Sequence, residues 1–323
     1  MTEKKSHLTD ITNASRTLLF DSKKEEWSNE ILKILNIPKS ILPIVKPNTY
    51  NFGSTKLFGA KINIGGMAGD QQAATIGQAC FEKGQSKSTY GTGCFLLMNI
   101  GKNFQLSRNR LLTTVAYKIN NDKMYCYEGS IFVAGSSLQW LRDKLLFFKD
   151  SKETEFLYLK ANKNEDIIVI PALTGLGAPH WQPNVRGAIF GLTRNTSIPE
   201  IVKATLDSLA FQTLDLVTGM QKDANMKIKD MRVDGGMISN NQFIQSISNV
   251  LQVKIIQPQN IETTALGAAY LAGLNSGIIK DLKTIKNFWK IKKIYYPKVH
   301  KDKINKQILK WKKTINFLIK YHS

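Results

Sequence analysis

The sequence predicts a mixed α/β protein with room for two domains. Segments rich in β-branched and aromatic residues alternate along the chain with segments whose apolar residues recur at helical spacing. Alternation of this kind is typical of a sheet covered by helices. With 323 residues the chain can bury a large core, and 42% hydrophobic with 22% charged residues is the composition of a globular protein.

The individual elements are predicted from clusters of β-branched residues and from the 3.6-residue hydrophobic period. Strand candidates start at Leu111, Met124, Asp166, Gly187, Met231 and Val253. Helix candidates are residues 71–80, 136–148, 199–221, 241–251, 264–275 and 303–321. Pro199 suits the first turn of the longest helix, whose apolar stripe should pack on a sheet face. The lysine-rich segment after Gly277 is predicted to be a peripheral helical tail.

The formal net charge of +20 is concentrated near the C-terminal end. Residues 280–323 hold 14 lysines against two aspartates, a net +12, and no arginine. The stretch NFWKIKKIYYPK interleaves aromatic residues with lysines, as surfaces that bind single-stranded nucleic acid do. Arginine forks are the usual base readers, so their absence favours a solvated helical face over nucleic-acid binding.

The cysteines and apolar runs exclude several other classes. Cys80, Cys94 and Cys126 lie far apart, without a CxxC pair or a histidine at metal-ligand spacing. Neither a disulfide framework nor a zinc site is predicted, and no residue is assigned as a metal ligand. The longest apolar runs are too short to span a bilayer, so no membrane insertion is expected, and no targeting segment is visible. These features favour a reducing, cytoplasmic compartment.

The stretch GGMAGDQQAATIGQAC, residues 65–80, places Asp70 directly before a predicted helix. An aspartate there can act as an N-cap, and it favours the positive end of the helix dipole. A carboxylate in the same place could also take a proton from a substrate hydroxyl. The residues of this stretch alone leave both interpretations open.

Two glycine-containing turns indicate a phosphate or nucleotide ligand. In STYGTGC, glycines flank Thr92 and allow a tight hairpin whose N–H groups and hydroxyls can converge on phosphate. In MRVDGGMISNN, a strand ends at Gly235 and Gly236, and ligands bind beyond such strand ends in open α/β sheets. Each turn also has an ordinary explanation, as a Ser/Gly loop or as a turn followed by an asparagine cap. Together with Asp70, they supply the base, phosphate donors and nucleoside pocket that phosphoryl transfer needs.

These motifs carry a resemblance to a known family. The chain resembles the glycerol kinases of the FGGY carbohydrate kinase family, within the actin and hexokinase-like ATPase superfamily. GDQQAA and STYGTGCF are its most specific motifs. The resemblance extends through TDITNASRTLLF, LLTTVAY, EGSIFVAGSSLQWLRD, VIPALTGLGAPHW, RGAIFGLTR, RVDGG and ETTALGAAYLAGL.

The resemblance implies two domains with RNase H-like cores, and ATP with Mg²⁺ in the cleft between them. It implies transfer of the γ-phosphate to glycerol, giving sn-glycerol 3-phosphate and ADP. Asp70 matches the catalytic base, and Gln71 matches a neighbouring residue that binds glycerol. The positions matching ATP-binding residues are Thr92, Gly135, Gln139, Gly236 and Asn240. The resemblance also implies a homo-oligomer.

The sequence also departs from the family pattern. Met1 falls well inside the family's first domain, and the expected N-terminal phosphate hairpin, glycerol clamp and magnesium carboxylate have no counterpart. The expectation is a truncated glycerol-binding domain at 1–78 and a complete ATP-binding domain at 79–323, with a basic helical tail at 280–323. A separately encoded N-terminal fragment is then a candidate partner. The alternative function is a non-catalytic nucleotide-binding fragment of a decaying kinase gene.

Overall fold

The fold contains one large mixed sheet with helices on both faces. The structure is a computed structural model that describes residues 2–3, 5–162 and 165–323. Its strands are β1 (Leu8–Asp10), β2 (Phe20–Asp21), β3 (Glu26–Trp27), β4 (Ile44–Lys46), β5 (Ser54–Thr55), β6 (Ile62–Asn63), β7 (Ser86–Tyr90), β8 (Cys94–Gly101), β9 (Leu112–Ile119), β10 (Asp122–Ile131), β11 (Ile168–Ile170), β12 (Ala188–Phe190), β13 (Asp230–Asp234), β14 (Lys254–Pro258) and β15 (Ile291–Tyr295). Its α-helices are α1 (Ile11–Ala14), α2 (Asn29–Ile34), α3 (Asp70–Gly77), α4 (Gly135–Asp143), α5 (Glu153–Lys160), α6 (Ile198–Ala224), α7 (Asn241–Leu251), α8 (Thr263–Asn275), α9 (Leu282–Phe288) and α10 (Lys301–Tyr321). The mixed α/β class predicted from the sequence is confirmed.

The main sheet has the strand order β15-β14-β13-β7-β8-β10-β9. The pairs β7–β8, β8–β10 and β10–β9 are antiparallel, whereas β13 is parallel to both β7 and β14. The carboxyl ends of β7 and β13 therefore lie side by side, with Thr89 paired to Asp234. The two glycine turns that follow these strands consequently meet at one edge of the sheet, where α/β proteins bind ligands.

Helix α6 covers one face of this sheet. Glu200 accepts the backbone N–H of Ser197 at 2.9 Å, as in a capping box, and Pro199 lies in the first turn. The apolar stripe is fully buried in the main core at Val202, Leu206, Leu209 and Leu216. The predicted packing of this helix on a sheet is therefore confirmed.

Helices α3 and α8 cover the opposite face and cross in direct backbone contact. A Cβ atom added at Gly77 would lie 1.9 Å from the Thr263 carbonyl oxygen, and one at Gly267 would lie 1.8 Å from that of Ala73. Glycine is thus required at both positions for this close approach. The contact fixes α3, and with it Asp70, against the rest of the molecule.

Between Leu8 and Asn63 the chain forms short elements beside this sheet. Strands β1 and β4 make a two-stranded parallel pair, and two small antiparallel pairs, β2–β3 and β5–β6, accompany them. Helix α1 packs against β9 of the main sheet. Its N-cap is Asp10, whose carboxylate accepts backbone N–H groups of the first turn. This part of the chain therefore supports the main sheet close to the start of α3.

The prediction that the segment after Gly277 is a peripheral helical tail is wrong. Strand β15 pairs with β14 at the edge of the main sheet, and α10 packs onto α6. The Trp311 ring is 1% exposed and stacks on Phe211 with ring centroids 5.5 Å apart, and its N–H donates to Asp215 at 2.9 Å. Lysines dominate the composition of this segment because they fill its exposed faces, while a few apolar residues carry its packing.

The structure also shows the surroundings of the three cysteines. All three cysteines are buried free thiols, and burial raises the pKa of Cys80 to about 11 and that of Cys94 to about 12. Reactive thiolates are thereby disfavoured.

In the described ranges no three His, Cys, Asp or Glu side chains are grouped as a metal site would require. Of the helices described, none combines the length and apolar character of a membrane span.

Candidate active site

Asp70 is the first residue of α3, and the N-cap is Gly69. The interpretation of Asp70 as the N-cap is therefore wrong by one residue. Its Oδ1 accepts the backbone N–H of Gln71 at 2.8 Å, and its side chain is exposed. The carboxylate remains favourably placed at the positive end of the helix dipole. An exposed carboxylate fixed in this way can accept a proton from a bound hydroxyl.

A buried network holds the start of α3. The Thr12 hydroxyl donates to Asp10 and accepts the Gly69 N–H at 2.9 Å. Asn48 donates to the same Asp10 carboxylate at 2.8 Å and to the Met67 carbonyl at 2.9 Å. Burial raises the pKa of Asp10 above its ordinary value, although the hydrogen bonds it accepts act in the opposite direction. Asp10 and Thr12 lie in the TDITNAS stretch of the resemblance, whereas no sequence pattern marks Asn48.

Gln71, the predicted glycerol-binding residue, lies next to Asp70 and is 9% exposed. Its Nε2 is 3.4 Å from Asp70 Oδ2, and its Oε1 accepts from Lys87 Nζ at 2.5 Å. Lys87 is fully buried on β7, in the centre of the main sheet. Nothing in the sequence distinguishes this lysine, because a single lysine in a lysine-rich chain forms no pattern.

A partly buried ion pair joins Arg16, just after α1, to Glu128 on β10. Arg16 donates to both carboxylate oxygens of Glu128 at 2.8 Å, and Glu128 is 1% exposed. Burial raises the pKa of Glu128, the charges of Arg16 and Lys87 oppose that shift, and the charge of Asp70 adds to it. This pair was also missed, since its partners lie 112 residues apart in the sequence.

All five predicted nucleotide-binding residues line one cavity of about 270 Å³. The cavity opens at the edge of the sheet where β7 and β13 end. The predicted residues around it are Thr92, Gly135, Gln139, Gly236 and Asn240. Leu138, Phe148 and Leu206 provide apolar walls, and Arg142 adds a cation that the sequence analysis missed. Apolar walls with a few polar groups are typical of small-molecule sites.

Glycines bring the cavity walls together. A Cβ on Gly135 would lie 2.6 Å from the Gly91 carbonyl oxygen, so α4 could not approach the hairpin with a larger residue there. Gly235 has φ +93°, and a Cβ on it would lie 2.4 Å from the Tyr90 carbonyl oxygen. Gly236, in contrast, faces open space. The backbone N–H of Gly135 donates to Gly91 at 2.9 Å, which docks the Thr92 hairpin onto the start of α4.

Asn240 combines a structural role with its place in the cavity wall. It is the N-cap of α7, and its Oδ1 accepts the Phe243 N–H at 3.0 Å. Its Nδ2 donates to Thr154 Oγ1 at 3.1 Å, so both ends of the amide have protein partners. The capping interpretation from the sequence is therefore confirmed.

The cavity does not include Asp70 or Gln71. The two groups of residues are joined through β7, whose Lys87 contacts Gln71 and whose end leads into the hairpin at Thr92. The predicted site thus consists of a cavity of about 270 Å³ and a separate exposed carboxylate on adjoining elements of the fold.

Comparisons with known proteins show which family the chain resembles. The N-terminal domain model of the FGGY family of carbohydrate kinases matches residues 1–77, and the C-terminal domain model matches residues 87–276. The chain is 47% identical to a glycerol kinase of Alkaliphilus metalliredigens over 99% of its length, and 47% identical to one of Bacillus subtilis over 96%. It spans 65% and 63% of the lengths of those two relatives.

Solved structures show the same relationship. The crystal structure of Plasmodium falciparum glycerol kinase with ADP superposes with a TM-score of 0.90 at 38% identity, covering 96% of this chain and 63% of the other. A gluconate kinase from Lactobacillus acidophilus shares the fold, with a TM-score of 0.85 at 24% identity over 98% of this chain and 65% of that one. On the evidence of both domain matches, the chain belongs to the FGGY family of carbohydrate kinases.

Proposed function

We propose that this chain carries out ATP-dependent phosphorylation of glycerol, giving sn-glycerol 3-phosphate and ADP. The observation that carries the proposal is the convergence of Thr92, Gly135, Gln139, Gly236 and Asn240 on one cavity. The glycerol kinases at 47% identity and the ADP-containing structure at TM-score 0.90 support the choice of substrate and nucleotide.

In this proposal Asp70 accepts the proton of the attacking terminal hydroxyl, and Gln71 binds glycerol beside it. The carboxylate is exposed, whereas the residues behind it are buried and hydrogen-bonded, so the base is held in place while remaining accessible. The hairpin at Thr92 would donate to the phosphates, and the turn at Gly236 and Asn240 would lie against the adenosine.

Mg²⁺ enters the proposal with the nucleotide. The part of the chain that the structure describes has no group of three acidic, His or Cys side chains suited to a metal ion. Mg²⁺ in kinases is commonly held by one or two carboxylates together with substrate phosphates, so such a group is not required. When bound, the ion would neutralise phosphate charge.

The proposed division into a glycerol-binding domain at 1–78 and an ATP-binding domain at 79–323 keeps Asp70 and the cavity on different domains. The main sheet, with strands in the order β9-β10-β8-β7-β13-β14-β15, supports an RNase H-like core for the second domain. For the first domain we propose that a further segment completes the site. Strands β1 and β4 form a parallel pair without a third strand among the described residues, and parallel strands are normally buried in larger sheets.

The test is glycerol-dependent ADP release by the purified chain, measured alone and with a separately expressed N-terminal domain of a full-length relative. If the further segment proposed above supplies phosphate donors, turnover should be low for the chain alone and restored in the mixture, because such donors stabilise the transition state. ADP binding without turnover in either sample would instead favour the non-catalytic nucleotide-binding fragment. Failure to bind ADP at all would refute the assignment of the cavity.

A further inference from the structure

We propose that Lys87 is a positioning residue that orients the Gln71 amide, so that its NH₂ group faces Asp70 and the acceptor hydroxyl. The inference rests on the proposed function for the identity of that hydroxyl. It follows from the burial of Lys87, the direction of its hydrogen bonds and its place on β7.

Burying the charged side chain of Lys87 at this position carries a desolvation cost. Its side chain is 0% exposed, and burial lowers its pKa, while the carboxylates of Asp234 and Glu128 act to raise it. Lysines are almost never fully buried without compensating partners. The Nζ atom donates to Gln71 Oε1 at 2.5 Å and to Thr89 Oγ1 at 2.9 Å, and both of these partners are neutral.

The direction of the bond to Gln71 determines how the amide is turned. An ammonium group has three donors and no acceptor, so Gln71 must present its carbonyl oxygen to Lys87. The NH₂ group then points the other way, and Nε2 lies 3.4 Å from Asp70 Oδ2. That separation is longer than a strong hydrogen bond. The amide can therefore donate to a substrate oxygen held beside Asp70 while the carboxylate keeps its capacity to accept a proton.

The position of Lys87 on β7 also couples two parts of the proposed site. The residue pairs in register with Leu97 on one side and Arg232 on the other, so its backbone is fixed within the sheet. Three residues later β7 ends at Tyr90 and enters the hairpin at Thr92. The contact between Lys87 and Gln71 therefore ties the helix that carries the base to the strand that carries the phosphate hairpin.

The kinetic test uses Lys87→Met, Gln71→Met and the double variant in the complemented enzyme. Loss of a hydrogen bond to a charged donor predicts that Lys87→Met lowers kcat/KM for glycerol by about 10- to 100-fold, with ADP affinity unchanged. Because Lys87 acts through Gln71, the double variant should be no worse than Gln71→Met alone. Multiplying losses in the double variant, or equal loss of ADP affinity, would overturn the inference. Lys83→Met, at an exposed position before β7, is the matched control and should behave as wild type.

A second readout does not depend on activity. With selective ¹⁵N-glutamine labelling, the Gln71 side-chain amide can be assigned by its disappearance in Gln71→Met. Because Gln71 is only 9% exposed, we expect its NH₂ group to be protected from hydrogen exchange by burial in the wild type and in Lys83→Met. Protection should fall in Lys87→Met, where the released side chain can rotate towards solvent. If Lys87→Met does not fold, Lys87→Gln gives the same comparison with a shorter neutral side chain. Unchanged protection overturns the positioning role, whereas a protected amide in a chain without glycerol turnover refutes the proposed function alone.

Discussion

Replacing Arg16 with methionine should destabilise the fold in a pH-dependent way. The variant keeps most of the aliphatic volume of the side chain but leaves Glu128 without its bidentate partner. Glu128 is 1% exposed, so its carboxylate cannot recover the lost hydrogen bonds from bulk water. Removing one partner of a buried ion pair lowers the free energy of unfolding by roughly 3–5 kcal/mol. The Arg16 side chain is 36% exposed, so solvent screening lowers the expected cost to about 2–3 kcal/mol.

The sign of the pH dependence follows from the pKa of Glu128. Burial raises that pKa in the folded protein above the ordinary value of 4.5, and loss of Arg16 raises it further. Protonating Glu128 therefore favours folding. The destabilisation of Arg16→Met should be complete at pH values above the folded-state pKa of Glu128 and should diminish as the pH falls through it towards 4.5.

Urea unfolding at pH 8 and at pH 5.5, followed by circular dichroism, measures this difference in the free energy of unfolding. Lys102→Met is the matched control, because Lys102 and Asp122 form an ion pair at 2.7 Å whose side chains are 65% and 66% exposed. Such a surface pair should contribute less than about 1 kcal/mol. Equal losses in the two variants, or a loss in Arg16→Met that does not change with pH, would refute the reasoning. The double variant with Glu128→Gln should recover part of the lost stability, since no charge is then buried.

Three further predictions follow from the site and the core. Asp70→Asn in the complemented enzyme should abolish turnover and leave ADP affinity intact in a binding titration; equal loss of both would indicate a structural role. Gly235→Ala should cost about 1–3 kcal/mol in thermal unfolding through its positive φ and its contact with the Tyr90 carbonyl, whereas Gly236→Ala, facing open space, should leave stability unchanged. Trp311→Ala should cost about 3–5 kcal/mol, whereas Phe317→Ala on the same helix, at 60% exposure, should have little effect; similar values would contradict the integrated packing of α10.

Local patterns predicted the elements that are long and periodic. The helix predicted at 241–251 has those bounds in the structure, and the one at 199–221 extends to Ile198–Ala224. Strong periodicity and recognisable caps made these helices visible in the sequence. The short helix α5 and the edge strand β15 were not predicted, because few residues define each and β15 lies in a lysine-rich segment.

The residues of the candidate site also fall into two groups, those that a local sequence motif indicated and those that only the structure shows. Asp70, Thr92 and Gly236 were found because glycines and small residues around them form compact motifs. Lys87, Arg16 and Glu128 gave no such signal, since each is an ordinary charged residue whose role depends on a partner elsewhere in the fold. Buried charge becomes visible only when the three-dimensional surroundings are known. The motifs therefore indicated the candidate site, and the structure added the residues that pack and hydrogen-bond around it.

The crossing of α3 and α8 has a consequence for how this chain can evolve. The 1.9 Å and 1.8 Å clearances at Gly77 and Gly267 are measured to backbone oxygens, which no change of rotamer can move aside. Replacements at either position would drive the two helices apart and displace Asp70 at the head of α3. In a library of active variants, both positions should stay glycine as strictly as the base itself, although neither contacts substrate in the proposed mechanism. Constant glycines at this helix crossing would then show that catalysis depends on how α3 is placed, even though the crossing lies away from the reacting groups.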